Sequence, residues 1–232
     1  MRKEQEDALR ADGDGYHQRN YSGIGTISDP VFDQLTLIHQ VSPITSYLEV
    51  GCTNGFRVDK AARAFQCEAS GLEASNAAVE EGSSRYPNVE LACGLAPQDL
   101  THWDGRRFDC IVLGHFLYLL PREQLFALAS SVDTLLAENG HLVIMDFIYP
   151  QPMSAEYSHH SELRVFKGNP SAPWLWSPTY SLVGRHIYDI AEEPGSQNKL
   201  SAWQTIDVLK KIAIADAYPT MATSPSVHEG QQ

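Results

Sequence analysis

The hydrophobic positions of the chain fall into short apolar runs that alternate with stretches of helical spacing. Five of these runs have the length of β-strands and are followed by turn residues or polar segments. They lie at residues 46–50, 67–72, 89–93, 109–113 and 141–146. The run at 109–113 is apolar enough to be buried on both faces, as the strands of parallel sheets usually are.

Three segments between the runs predict helices. Residues 56–65 place apolar side chains on one side, 74–85 are built from good helix formers, and 122–137 end at Asn139-Gly140. Strands that alternate with helices form βαβ units. The pattern therefore predicts an α/β fold, a Rossmann-like and mostly parallel seven-stranded sheet with helices on both faces, whose core spans residues 44–149.

The regular alternation stops after Tyr149. Residues 150–180 contain five prolines and several Trp and Tyr side chains without clear periodicity, which is typical of a lid or binding loop. Two strand-like segments at 181–190 and 202–212 are joined by a polar loop that contains glycine. They predict an antiparallel hairpin that closes the same domain over residues 181–218.

The two ends of the chain lack these patterns. Residues 1–43 are expected to form an N-terminal segment, irregular over its first 20 residues, with a helix that leads into the core. Residues 219–232 are expected to be a disordered tail.

Charge and composition narrow the function classes. The net charge is −12 and the pI is about 5.1, which argues against a broad face that binds nucleic acid or an anionic membrane. The four cysteines form no CxxC pair, so no zinc site or disulfide framework is expected. With no apolar leader and no run of about 18 apolar residues, we expect a soluble protein of the reducing cytoplasm.

The segment at the end of the first predicted strand is the one that points most clearly to a ligand-binding site. It reads Glu49-Val50-Gly51-Cys52-Thr53-Asn54-Gly55, and its glycines let the backbone turn tightly and approach a ligand. A dinucleotide site would have glycine at 53 and 56, where this chain has Thr53 and Phe56. The segment also lacks the Gly-Lys-Ser/Thr sequence of a nucleoside triphosphate loop.

This segment resembles the first motif of class I S-adenosylmethionine-dependent methyltransferases, acidic-x-Gly-x-x-x-Gly. The resemblance covers roughly residues 44–148. A carboxylate, Glu73, ends the second strand 22 positions after Gly51, and the pair Phe108-Asp109 opens the fourth. The resemblance implies S-adenosyl-L-methionine as cofactor and S-adenosyl-L-homocysteine as product.

The resemblance also assigns a cofactor site, in which the two carboxylate oxygens of Glu73 match the paired hydroxyls of a ribose. The implied cofactor-binding residues are Glu49, Gly51, Cys52, Thr53, Gly55, Glu73, Ala74, Leu95, Ala96, Gly114 and His115. Leu95 stands where the family commonly has an acidic residue beside adenine. That contact then passes to Gln98, Asp99 or a backbone carbonyl.

Four side chains are candidates for catalysis on the acceptor side: His115, Tyr118, His159 and His160. A hydroxyl acceptor benefits from a base such as histidine, whereas an amine only has to arrive unprotonated. For His115, a role in lining or packing beside the cofactor is favoured over that of a base. His159 and His160 are neighbours that point in different directions, so we expect no metal there.

The acceptor is expected to be a small molecule, such as a sugar or a natural product methylated on oxygen or nitrogen. Enzymes that methylate amino groups of nucleic acid bases carry Asp/Asn-Pro-Pro-aromatic after the fourth strand, where this chain has Gly114-His115-Phe116-Leu117. We expect neither nucleic acid nor membrane as partner, and a second copy of the chain is a further candidate. Two alternatives stay open: transfer of the aminocarboxypropyl group, and a module that binds the cofactor without turnover.

Overall fold

A computed structural model describes residues 1–20, 29–189 and 203–220 of the chain. The strands are β1 (Ser46–Val50), β2 (Glu68–Glu73), β3 (Glu90–Cys93), β4 (Phe108–Gly114), β5 (Leu136–Phe147), β6 (Met153–Glu156), β7 (Arg164–Lys167), β8 (Tyr180–Asp189) and β9 (Trp203–Lys211). The helices are α1 (Lys3–Asn20), α2 (Pro30–Val41), α3 (Phe56–Phe65), α4 (Asn76–Arg85), α5 (Leu125–Leu135), α6 (Ala172–Leu175) and α7 (Ile214–Ala217). Two 3₁₀ helices cover Gln98–Trp103 and Arg122–Gln124.

Seven of the strands form one sheet in the order β3-β2-β1-β4-β5-β9-β8. The first five strands of the chain pair in parallel, and β9 runs antiparallel to both β5 and β8. The predicted fold class is therefore confirmed, including the closing hairpin. Strands β6 and β7 form a separate two-stranded antiparallel sheet.

Helices cover both faces of the sheet. Successive side chains of a strand point to opposite faces, so alternate residues pack into different clusters. On β4, Ile111 and Leu113 pack into a cluster with α5. The alternate residues Cys110 and Val112 pack into a second cluster with α2 and α3. The apolar run at 109–113 is continuous because its two faces meet two different helical layers.

Side chains cap the first turns of helices α2 and α4. Asp29 accepts a hydrogen bond from the Phe32 N–H (3.2 Å) ahead of Pro30 in α2, and Ser75 accepts one from Ala78 (3.1 Å) in α4. Such side chains satisfy backbone donors that have no partner within the first turn. No helix in the described part of the chain combines the length and apolar character needed to cross a membrane.

The prediction that residues 1–20 are irregular is wrong, since Lys3–Asn20 form helix α1. Two glycines and a highly charged sequence conceal this helix, because both weaken a helical pattern in isolation. Contacts with α4 stabilise it instead. Asp14 accepts a hydrogen bond from Ser75, and His17 lies 2.8 Å from the Glu81 carboxylate.

Two further predictions need correction. The helix expected over 122–137 is a 3₁₀ turn followed by α5, and it ends at Leu135, directly before β5. The segment 150–180, which lacks periodicity in the sequence, contains β6, β7 and α6. The predicted polar loop at 191–201 and the tail from Ala222 lie outside the described residues.

A buried ion-pair network connects α2, α3 and β1. The Arg57 guanidinium donates to both oxygens of Asp29 (3.0 and 3.1 Å) and to Glu49. Glu49 also accepts a hydrogen bond from the Tyr47 hydroxyl (2.8 Å). Burial raises the pKa of Glu49, and Arg57 acts against that rise. The network fixes the start of α3 against the end of β1, beside the loop at 51–55.

Replacing Arg57 by methionine is expected to lower the free energy of unfolding by about 3–5 kcal/mol, because it leaves two buried carboxylates without their cation. Urea denaturation measures this loss. Arg85→Met is the matched control, since Arg85 lies on helix α4 and its ion pair with Glu81 is exposed on both sides; it should cost about 0–1 kcal/mol. Equal losses of unfolding free energy in the two variants would contradict a stabilising role of the buried network.

Candidate active site

A pocket lies at the carboxyl ends of β1, β2, β3 and β4. In open α/β sheets, ligands bind in the crevice where the strand order reverses, which in this sheet falls between β1 and β4. The residues that the sheet and its loops contribute are Val50, Gly51, Thr53, Leu72, Glu73, Ala74, Gly94, Leu95, Ala96, Gly114, His115, Phe116, Tyr118, Leu119 and Leu120.

The backbones of the two loops that leave β1 and β4 touch each other. A Cβ atom on Gly51 would lie 2.8 Å from the Gly114 carbonyl oxygen, and one on Gly114 would lie 2.8 Å from the Gly51 oxygen. Gly51 also has φ +79°, which side chains of L-residues disfavour. Both positions therefore require glycine for a structural reason.

Glu73 is buried at the pocket wall and holds the loop after β1. One carboxylate oxygen accepts the Thr53 N–H (2.8 Å) and the other accepts the Ser75 N–H (2.9 Å). Burial raises the pKa of Glu73, while these backbone donors lower it. Each oxygen keeps a further lone pair for a ligand.

Helix α1 forms the outer wall of this pocket, which the sequence analysis missed. Leu9, Asp12, Gly13 and Tyr16 line the pocket, and a Cβ on Gly13 would lie 3.2 Å from a Glu73 oxygen. The sequence contains one signal for this role. Leu9 and Tyr16 are seven residues apart, which places them on one side of a helix.

Three residues predicted to bind the cofactor do not line the pocket. The Glu49 carboxylate pairs with Arg57 and Tyr47. The Cys52 side chain is buried in the core cluster beside α3, and Gly55 packs against Leu91. The backbone turns after Gly51, and these three residues face the protein interior instead of the pocket.

Neither of the side chains proposed to replace an acidic residue at Leu95 lines the pocket. Asp99 accepts a hydrogen bond from the Leu95 N–H (2.7 Å), and Gln98 donates to Gln124 (3.0 Å). The backbone of the loop after β3 is left as the polar surface at this end of the pocket, beside the apolar side chains of Leu95 and Ala96.

His115 lies in the pocket wall with φ +59°, an uncommon conformation for a residue other than glycine. Burial, and then the charge of Lys167, lower the pKa of its imidazole to about 4, so the ring is neutral at pH 7. Its Nε2 lies 3.2 Å from the Gln204 amide nitrogen, while its buried Nδ1 has no hydrogen-bond partner among the residues that the structure describes. Because the Gln204 amide group donates its hydrogen bond to Nε2, the proton of the neutral imidazole lies on Nδ1.

A second cavity adjoins the first. Tyr16 and Tyr118 line both cavities, and the second lies under the β6–β7 hairpin beside Phe147 and His159. His159 is exposed at the rim. His160 does not line the cavity, and its ring lies 4.0 Å from Asp12. Of the four candidate catalytic side chains, the structure brings together His115 and Tyr118, whose ring centroids are 5.0 Å apart.

Asp146, at the end of β5, is a buried carboxyl group that the sequence analysis did not single out. It accepts hydrogen bonds from the N–H groups of Phe147 (2.7 Å) and Tyr118 (3.3 Å). Burial nevertheless raises its pKa to about 7. Among the residues that the structure describes, no three His, Cys, Asp or Glu side chains form a group that could hold a metal ion.

Residues 48–140 match the sequence profile of the methyltransferase domain family. These residues are therefore similar to a methyltransferase domain. The resemblance of the chain to the class I S-adenosylmethionine-dependent methyltransferases is confirmed. No curated protein matches the chain.

Solved methyltransferase structures share the fold of this domain over most of the chain. The 1,6-didemethyltoxoflavin-N1-methyltransferase of Burkholderia thailandensis, solved with its substrate and S-adenosylhomocysteine, has a TM-score of 0.67, 15% identity and 92% coverage of each chain. The N-methyltransferase NodS of Bradyrhizobium japonicum, solved with S-adenosylhomocysteine, has a TM-score of 0.59, 16% identity and coverage of 90% of this chain and 97% of its own. The magnesium protoporphyrin IX methyltransferase of Synechocystis, also solved with S-adenosylhomocysteine, has a TM-score of 0.61, 14% identity and coverage of 89% and 97%.

The contact between the loops of the methyltransferase domain predicts different costs for two alanine substitutions. Gly105 has φ +86°, and no atom of the described part of the chain lies within 4 Å of a Cβ at this position, so Gly105→Ala should lower the free energy of unfolding by the backbone strain alone, about 1–2 kcal/mol. Gly51→Ala adds a clash with the Gly114 carbonyl and should cost about 1–3 kcal/mol more. Denaturation curves measure both, and equal costs would contradict the close approach.

The burial of His115 predicts a low titration midpoint. NMR of the histidine rings should show His115 neutral at pH 7 and protonating near pH 4, whereas an unperturbed imidazole titrates near pH 6.5. Because the folded-state pKa is lowered, stability from this group is complete above about pH 6.5 and is lost as the pH falls toward 4. A midpoint above pH 6 would contradict the buried position.

Proposed function

We propose that this methyltransferase domain transfers the methyl group of S-adenosylmethionine to a small-molecule acceptor. The observation that carries the proposal is the pair of adjoining cavities, which meet at Tyr16 and Tyr118. One lies at the strand ends with a buried carboxylate, and the other lies under the β6–β7 hairpin. Two-substrate transfer needs two compartments that open into each other.

In this proposal the first cavity holds the cofactor. Glu73 accepts hydrogen bonds from the ribose hydroxyls with the lone pairs that Thr53 and Ser75 leave free. Adenine lies beside Leu95 and Ala96, and the methionine part lies along Gly51 and the β4 loop. The S-adenosylhomocysteine in the similar structures supports this choice of ligand.

Transfer is an in-line displacement in which a bond forms between the acceptor atom and the methyl carbon. The carbon–sulfur bond breaks, and its electron pair stays on sulfur, which leaves neutral S-adenosylhomocysteine. A hydroxyl or amine acceptor that arrives uncharged loses one proton to the solvent, so that the charge balances. The sulfonium already activates the methyl group, so the chain mainly has to align the two reactants. His115 is placed at the end of β4 to line this route, and its low pKa makes it a hydrogen-bonding neighbour rather than an efficient base at neutral pH.

The second cavity suits a small molecule because α1 and the β6–β7 hairpin flank it. The similar structures support this size class, since two of them are named for didemethyltoxoflavin and magnesium protoporphyrin. In the proposal Tyr118 lines both cavities beside the point where the two reactants meet, and His159 lies at the entrance of the acceptor cavity.

Product analysis tests the reaction. Purified protein is incubated with S-adenosylmethionine and a panel of small aromatic, sugar and amine acceptors. Methyl transfer releases S-adenosylhomocysteine and adds one methyl group to an acceptor, which mass spectrometry detects. Release of methylthioadenosine would instead indicate aminocarboxypropyl transfer, and binding without any turnover across the panel would favour a non-catalytic module.

Glu73→Ala is expected to weaken S-adenosylhomocysteine binding by roughly 10–100-fold, since hydrogen bonds to charged groups contribute about 1.5–3 kcal/mol. Isothermal titration calorimetry gives the affinity. Glu68→Ala is the matched control, because Glu68 lies on the same strand with its side chain exposed at the opposite end. It should leave the affinity unchanged, and an unchanged affinity in Glu73→Ala would overturn the ribose assignment.

A further inference from the structure

Three side chains form a hydrogen-bonded chain that starts where the two cavities meet. The Tyr118 hydroxyl donates to the Tyr157 hydroxyl, and the centroids of the two rings lie 6.3 Å apart. The Tyr157 hydroxyl donates to Oδ1 of Asp12 at 2.9 Å. The chain therefore connects the loop after β4, the segment after β6 and helix α1.

Both donors of this chain point away from the cavities and toward Asp12. A tyrosine hydroxyl has one O–H donor and also accepts hydrogen bonds, whereas a carboxylate only accepts them. Tyr118 uses its donor on Tyr157, so its oxygen keeps a lone pair for a ligand. Because Tyr118 lines both cavities, a ligand hydroxyl at their junction can donate to Tyr118 and extend the chain by one member.

The two tyrosines are suited to pass a proton on, not to hold a negative charge. Burial raises the pKa of Tyr157 to about 12, and burial also raises the pKa of Tyr118 above its ordinary value. Both phenols are therefore neutral at pH 7. The carboxylate at the end of the chain belongs to Asp12, which is buried and lies 3.6 Å from the Arg19 guanidinium and 4.0 Å from the His160 ring.

Other candidate bases in the described part of the chain are engaged elsewhere or lie at the rim. The Gln204 amide group donates to Nε2 of His115, so the basic nitrogen of this ring already accepts a hydrogen bond. Asp146 accepts hydrogen bonds from backbone N–H groups and lines neither the first nor the second cavity. Glu156 and His159 line the second cavity alone and are exposed.

We propose that Asp12 accepts the proton released in the reaction and that Tyr118 and Tyr157 carry it there from a hydroxyl group of the acceptor. This inference rests on the proposed function and adds the substrate class, a molecule that is methylated on a hydroxyl oxygen. Tyr118 touches the acceptor, and Tyr157 and Asp12 act through it.

The proton moves as the methyl group is transferred. A lone pair of the acceptor oxygen forms the bond to the methyl carbon, and the carbon–sulfur bond leaves its electron pair on sulfur. The acceptor proton passes to the Tyr118 oxygen, the Tyr118 proton to Tyr157 and the Tyr157 proton to Asp12. The sulfonium loses its positive charge and Asp12 its negative charge, so the charge balances. Because a hydroxyl oxygen becomes strongly acidic as it gains the methyl group, a carboxylate is basic enough to receive the proton.

Two phenols that differ in ionisation test this relay. 4-Methylphenol has the structure of the tyrosine side chain and ionises near a pH of about 10, whereas 4-nitrophenol ionises near neutrality. At a mildly alkaline pH the first therefore carries its proton and the second does not. Each is incubated with the protein and S-adenosylmethionine, and mass spectrometry measures the methyl ether formed.

Asp12→Asn is expected to lower kcat selectively, because the amide oxygen still accepts the Tyr157 hydrogen bond but cannot take the proton. With 4-methylphenol kcat should fall by about 100-fold or more, the usual contribution of a general base. With ionised 4-nitrophenol, kcat should stay near the wild-type value. Tyr157→Phe should give the same selective loss, because it interrupts the chain and keeps the ring.

Asp7→Asn is the matched control, because Asp7 is an exposed carboxylate on the same helix that lines neither cavity. It should keep the wild-type kcat with both phenols. Equal losses with the two phenols in Asp12→Asn would indicate a structural role and overturn the inference. An undiminished kcat with 4-methylphenol, or the same selective loss in Asp7→Asn, would also overturn it.

The affinity for S-adenosylhomocysteine, measured by calorimetry in every variant, checks that the fold is intact; Tyr157→Phe carries the test if Asp12→Asn loses it. If the wild type methylates a sugar hydroxyl but neither phenol, that sugar replaces 4-methylphenol, and an undiminished kcat in Asp12→Asn overturns the inference. Wild-type protein that methylates amines but no hydroxyl group contradicts this inference alone. Wild-type protein that transfers no methyl group to any acceptor contradicts the proposed function.

Discussion

The backbone contact between Gly51 and Gly114 is the constraint on which the site depends. The chain leaves β1 and β4 in opposite directions along the sheet, and the two loops must pass within van der Waals distance before they diverge. Any side chain at either position would force them apart. Glu73 then holds the first loop through the Thr53 N–H, and Arg57 anchors the helix that follows it. The pocket therefore owes its shape to buried backbone geometry rather than to mobile side chains.

Two elements outside the sheet complete the walls around this pocket. Helix α1 covers Glu73, and the β6–β7 hairpin covers Tyr118 and Phe147. A hydrogen bond from the Tyr157 hydroxyl to Asp12 (2.9 Å) joins the two elements directly, and Tyr157 in turn contacts Tyr118. The walls of the first and second cavities are thus connected through one short chain of polar and aromatic contacts, which ends at Tyr118, a residue that lines both cavities.

The sequence predicts those elements of the fold that depend on local interactions. The continuous apolar run at 109–113 indicates a strand buried on both faces, and the motif at Gly51 together with Glu73 indicates the strand ends at which the first cavity lies. The missed parts have tertiary causes. Helix α1 has weak intrinsic propensity and depends on contacts with Ser75 and Glu81. The β6–β7 hairpin is too short and too rich in flanking prolines to stand out. The inward position of Glu49, which pairs with Arg57 and does not line the pocket, likewise becomes visible only in the folded structure.

In the proposed function, S-adenosylmethionine binds where β1 and β4 diverge, with its ribose on Glu73. A crystal structure of the protein grown with saturating S-adenosylhomocysteine decides whether it does. We expect density for the nucleoside with both ribose hydroxyls within hydrogen-bond distance of the Glu73 carboxylate and adenine against Leu95. Density for the nucleoside at any other place, or an empty pocket at saturating concentration, would contradict it.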